Sequence, residues 1–153
     1  MIGIILATVL VSLPLVPPQV KDAQSLYEYM RANFTYQNEA EGVDDWKEPA
    51  RTAKDKGGDC EDFAIYAEKV LQNLGYEAKA IAIKGRDKFF HAICVVKVNG
   101  KYRYFSNQYY SYFKEFETIN EIVTFECTEW KWWAEIGLPH EIKNFHHQVV
   151  SGL

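Results

Sequence analysis

Apolar positions recur at steps of three and four between Lys21 and Phe34, where Ala23, Leu26, Tyr27, Met30 and Phe34 mark one face of an amphipathic helix. A second helical period runs through Phe63, Ala64, Ala67, Val70, Leu71 and Leu74, with Asp59 placed as its N-cap and Gly75 where a C-terminal cap belongs. After Gly75 the period changes to two. Glu77 to Lys84 reads as a strand, Gly85-Arg86-Asp87-Lys88 as a turn, and Phe89 to Val98 as a second strand. Asn99-Gly100 then closes a hairpin with Lys101 to Ser106, because both positions of a tight two-residue turn need positive φ. That turn sets Val98 opposite Lys101. His91 therefore shares a face with Ser106 and Gln108, while Ala92 and Cys94 share the other with Asn107.

Two stretches lack a clear period. Thr35 to Gly58 reads as one long loop holding Gly42-Val-Asp-Asp-Trp-Lys-Glu-Pro49, and long ordered loops in compact domains often carry function. Beyond Gln108, the aromatic run Tyr109 to Phe116 fits either a cover over a cleft or an extension of the sheet. Glu126 to Trp133 fits core or partner surface equally. His140, His146 and His147 have no cysteine or carboxylate spacing that suggests metal, and they receive no role.

Composition narrows the class. A chain of 153 residues, 48% hydrophobic and 25% charged, has the size and apolar content of one globular domain, expected to be monomeric. A net charge of -4 with no basic cluster excludes a phosphate-backbone footprint, so nucleic acid is not an expected partner. The run from Met1 to Val16 is shorter than the ~20 residues that cross a bilayer and suits a signal-peptide core, although no basic residue precedes it and no small-residue cleavage site follows. Residues 1–18 are thus expected to be a leader or anchor, and 19–153 a periplasmic or extracellular domain. Membrane anchoring and a cytoplasmic location stay open.

The chemistry centres on Cys60. The three cysteines Cys60, Cys94 and Cys127 cannot all pair within the chain, so at least one thiol is free. Asp59 as N-cap puts Cys60 in the first turn of its helix, where unpaired N–H groups and the helix dipole favour a thiolate and can hold an oxyanion. Acidic neighbours at Asp59, Glu61 and Asp62 oppose this unless something positive neutralises them. A Cys60 helix packed on the sheet can bring the thiol to His91, the nucleophile and base pair of cysteine hydrolysis.

Trp46-Lys-Glu-Pro49, Gly58-Asp-Cys-Glu-Asp-Phe-Ala64, His91-Ala-Ile and Phe105-Ser-Asn107 together closely resemble the bacterial transglutaminase-like cysteine proteinases, over about Phe34 to Gln108. The resemblance implies an α+β, papain-like core: a nucleophile helix packed on an antiparallel sheet, with Cys60 as nucleophile and His91 as general base acting on a protein or peptide substrate. It also implies calcium, with Asp59, Glu61 and Asp62 as the ligands carried over by position. A hard cation among these carboxylates would cancel their field on the thiol; the alternative is that Asp59 only caps the helix while Glu61 and Asp62 favour its dipole. One departure stands out. The family pattern ends its hairpin with Leu-Asp-Asn, whose Asp orients the histidine, and this chain has Phe105-Ser106-Asn107. Asn107 is expected to take the orienting role, as the Asn of papain-type enzymes does, with Ser106 as the other candidate. Loss of the anion also makes a non-catalytic domain that binds protein or calcium an open reading.

Overall fold

The computed structural model describes residues 14–40 and 42–148. Most of the expected leader, residues 1–13, lies outside them, and Leu15 and Val16 pack against the core. Among the described residues no helix is long and apolar enough to cross a membrane.

Helix α1 spans Ala23–Asn33. It starts at Asp22, whose carboxylate accepts the Ser25 N–H at 2.8 Å in a capping box, and it buries Ala23, Leu26 and Met30. The long stretch after it is not one loop. It contains strand β1 (Thr35–Tyr36), helix α2 (Pro49–Asp55) and strand β2 (Gly57–Gly58), with β2 pairing parallel to β1. Helix α2 escaped the periodicity reading because it is one short element with Thr52 as its buried residue, and its start is set by Pro49 in the first turn. Helix α3 (Cys60–Asn73) follows directly.

The remaining strands are β3 (Ala78–Gly85), β4 (Phe90–Val98), β5 (Lys101–Ser106), β6 (Tyr109–Tyr110), β7 (Trp130–Gly137) and β8 (Glu141–His147), with helix α4 (Ile119–Glu126) before β7. They form one antiparallel sheet in the order β6-β5-β4-β3-β7-β8. The Asn99-Gly100 turn has positive φ at both residues, and the register Cys94↔Phe105 through Val98↔Lys101 is the one it dictates. Tyr109 and Tyr110 extend the sheet, and Trp130 and Trp133 are buried in the core.

The sheet has two unlike faces. Ala78, Ala80, Ala82, Ala92, Cys94 and Val96 form the floor beneath α3, whose Phe63, Ala64, Ala67, Val70 and Leu71 are buried against them. Small residues there let the helix approach closely. Ile81, Ile83, Ile93, Val95, Tyr104 and Trp133 fill the other face under Ile122 and Val123 of α4. The α+β architecture, with the Cys60 helix packed on an antiparallel sheet, is the expected one.

Candidate active site

Two glycines and one buried carboxylate fix the start of α3. A Cβ on Gly57 would collide with the Thr35 carbonyl, and one on Gly58 with the Asp62 side chain, so only glycine fits the tight approach of β2 to β1 and to the helix. Asp59 is extended (φ -96°) and caps the helix toward the Asp62 N–H, while the Asp62 carboxylate accepts the Asp59 N–H at 3.3 Å. Asp62 also accepts the Lys47 N–H at 2.7 Å, and the Lys47 ammonium lies 3.7 Å from it and donates to the Gly57 carbonyl at 3.1 Å. Lys47 was not singled out from the sequence, although it lies inside the quoted Trp46–Pro49 motif. It ties that loop to the helix start. Trp46 packs against His140 with ring centroids 4.0 Å apart and planes tilted by 55°, and it donates its Nε1–H to Asp44.

Cys60 is the first residue of α3. Its thiol donates to Glu61 Oε2 at 3.0 Å, and the backbone N–H of Ala92 on β4 is near enough to favour the thiolate. This contact falls just beyond Cys94↔Phe105, the last pair of β4 with β5, where the edge of β4 is open. Burial pushes the thiol pKa up, and the Glu61 and Asp59 carboxylates push it further, so the resting sulfur is protonated. Cys94 is fully buried and Cys127 half-buried; all three thiols are free.

His91 directly precedes Ala92 and lies on the opposite, α4-facing side of β4 with Ile93 and Val95. Its Nε2 is 2.8 Å from Ser106 Oγ, which leaves Nδ1 as the ring nitrogen available to a thiol. Burial lowers the His91 pKa, and the Glu126 carboxylate opposes that shift. Cys60 and His91 share no hydrogen bond. Asn107 was the expected orienting residue, but Ser106 holds the histidine. Asn107 sits in the β5–β6 turn with φ +53°, and its buried Oδ1 has no partner. The alternation along β5 gives the face that His91 occupies to Ser106, and Asn107 lies just past the strand.

The carboxylates around the thiol fall into two groups. Both oxygens of Asp62 are committed to N–H groups, as described. Asp59 is pushed up to about 7, first by burial and then by the charge of Glu61 and a hydrogen bond shared with it, with Glu39 adding to the field. Among the described residues no three histidine, cysteine or acidic side chains converge into a ready metal centre. Asp59 and Glu61 concentrate negative charge beside the thiol, the kind of setting a cation would relieve, whereas both Asp62 oxygens are already engaged.

The family model described as Transglutaminase-like superfamily matches residues 14–143. The chain belongs to the transglutaminase-like superfamily. The matched span runs from the packed N-terminal segment into β8 and includes every site residue described above. Solved structures with a similar fold include Legionella pneumophila LapG in calcium-bound form, at 18% identity and a TM-score of 0.49, covering 72% of this chain and 64% of that one. EGTA-treated LapG is similar at 15% identity and a TM-score of 0.48, covering 78% and 68%. A candidate cysteine protease from Cytophaga hutchinsonii follows at 13% identity and a TM-score of 0.47, covering 82% and 43%. The chain thus spans 64% of the length of calcium-bound LapG. No curated protein matches it by sequence.

Proposed function

We propose that the protein is a cysteine peptidase or amidase that opens amide bonds in a protein or peptide substrate through a Cys60 acyl-enzyme. The observation that carries this reading is a free thiol, Cys60, in the first turn of α3, together with a His91 on the adjacent β4 whose Nε2 is held by Ser106. In the forward reaction the thiol proton passes to His91 as sulfur attacks the carbonyl carbon. The free N–H groups of the first turn of α3 receive the oxyanion. The C–N bond then breaks, with the proton on His91 transferred to the leaving amine. Water attacks the thioester to complete hydrolysis, and an amine in its place gives transamidation; His91 serves as base for either. Ser106 orients the imidazole without supplying charge.

Calcium belongs to the same proposal. A divalent cation held by Asp59 and Glu61 would cancel the negative field that adds to burial in raising the thiol pKa, and would draw Glu61 away from it. Asp62 supports those two from behind by holding the helix start and the Lys47 loop. The domain from about residue 19 onward is proposed to act outside the cytoplasm.

A second reading has its own support. The S–H bond to Glu61 and the neutral residue at 106 fit a domain that has lost catalysis and binds protein or calcium. Incubation with an unfolded protein such as casein, with and without calcium, separates the two. The peptidase reading expects new N-termini with wild type and none with Cys60→Ala. Identical, uncleaved material from both proteins, with calcium present, overturns it.

A further inference from the structure

Burial lowers the His91 pKa and the Glu126 carboxylate works against that shift, yet neither the motif nor the proposed reaction assigns Glu126 a role. It ends α4, and its Oε1 accepts the Tyr104 hydroxyl at 2.5 Å. Tyr104 is 1% exposed and lies on β5 opposite Val95, on the same sheet face as His91 and Ser106. The next residue, Cys127, packs so closely on Gly85 that its Sγ is 2.5 Å from where a Cβ on that glycine would stand, and Gly85 donates to the Phe89 carbonyl at the root of β4. The carboxyl end of α4 is therefore clamped at both sides over the end of the sheet that carries His91. The other surroundings of the imidazole are neutral: Ile83 opposite it on β3, Trp133 beyond that on β7, Ser106 and the protonated Tyr104 on β5, and the Cys60 thiol by way of Ala92. The nearby Lys84 turns its ammonium to the Asp87 and Phe89 carbonyls.

We propose that Glu126, pinned by Tyr104, is a positioning residue that supplies from α4 the negative charge missing at 106, acting through space on the His91 imidazolium. The inference rests on the reading of His91 as the general base. Its chemistry is Coulombic: an anion held in a half-buried setting favours the protonated ring, and the Tyr104 hydroxyl keeps the carboxylate from swinging into water. The negative end of the α4 dipole adds to the same field. Division of labour between a neutral orienting hydroxyl and a remote anion would let β5 carry serine without leaving the imidazolium unsupported.

The test is the His91 titration followed by NMR of the imidazole carbons in wild type, Glu126→Gln and Tyr104→Phe. Glutamine keeps the shape and the acceptor for Tyr104, so folding is retained while the charge is lost. The expected result is a fall of about half a pKa unit for Glu126→Gln at low ionic strength, with a smaller fall in the same direction for Tyr104→Phe. A His91 titration identical to wild type in folded Glu126→Gln overturns the proposal. Its failure is distinct from failure of the peptidase reading, which shows instead as a Cys60 alkylation rate indifferent to His91→Ala.

Discussion

The two faces of the six-stranded sheet are built from different residues and contribute different halves of the site. On the α3 face, alanines at 78, 80, 82 and 92 let a fourteen-residue helix lie close against the strands, which delivers Cys60 to the edge of β4. On the α4 face, isoleucines, Val95, Tyr104 and Trp133 fill the space under an eight-residue helix, and strand alternation places His91 and its partner Ser106 on this side. The halves meet where β4 loses its β5 partner. If Cys60 and His91 act together they must meet across this edge, where the last β4–β5 pair at Cys94↔Phe105 leaves Ala92 without a β5 partner. Strand alternation and the end of pairing thus place the site, more than any property of either residue alone.

If both layers are required, removing either residue should be equally damaging. Cys60→Ala and His91→Ala are each expected to lower kcat/KM on an amide substrate by about 10^4-fold or more, measured against a cleavable peptide once one is found, because groups acting as a unit fail together. The stability cost should separate the faces. Phe63→Ala removes a ring that is 1% exposed beneath α3 and is expected to cost ~3–5 kcal/mol by urea unfolding, against ~2–3 kcal/mol for Ile122→Ala under the shorter α4. Smaller again is the loop attachment. Asp62→Ala leaves the Lys47 and Asp59 N–H groups unpaired and is expected to cost about 2 kcal/mol by the same measurement.

The smallest effect expected is on the pH dependence of stability. Asp59 has its folded pKa raised to about 7 from 3.8, so the folded state binds more protons between those values and stability falls as pH rises through that window. Asp62 is raised too and acts with the same sign, while the lowered His91 opposes it by costing stability as pH falls below its ordinary value of 6.5. Since Asp59 is only half-buried, its share is about 1 kcal/mol after screening. Thermal unfolding from pH 8 to pH 5 should show a Tm that rises on acidification and a flatter slope in Asp59→Asn. Calcium should flatten the wild-type slope as well, raising Tm more at pH 8 than at pH 5.

Much of this arrangement was legible in the order of residues. The cap at Asp59, the helix behind it and the Asn99-Gly100 register followed from local chemistry, and the register alone put Ser106 on the face of His91. Asn107, expected by the papain analogy to orient the ring, stands in a left-handed turn next to Ser106. Helix α2 is one short element whose single buried residue is Thr52, too little for a period, and the elements from α4 onward depend on tertiary partners: Trp130 and Trp133 find Thr124 and Asn120 as hydrogen-bond partners only once α4 and β7 are adjacent. Glu126 had no local signal at all, since its place depends on Tyr104 more than twenty positions earlier.

The central claim is that Cys60 becomes a nucleophile through His91, and the direct measurement is its alkylation rate against pH, with calcium and with chelator, in wild type and His91→Ala. The account predicts slow labelling in chelator, as the raised thiol pKa requires. With calcium it predicts fast labelling that extends below pH 7 in wild type only. A rate that stays slow under every condition, or one that His91→Ala leaves unchanged, would contradict it.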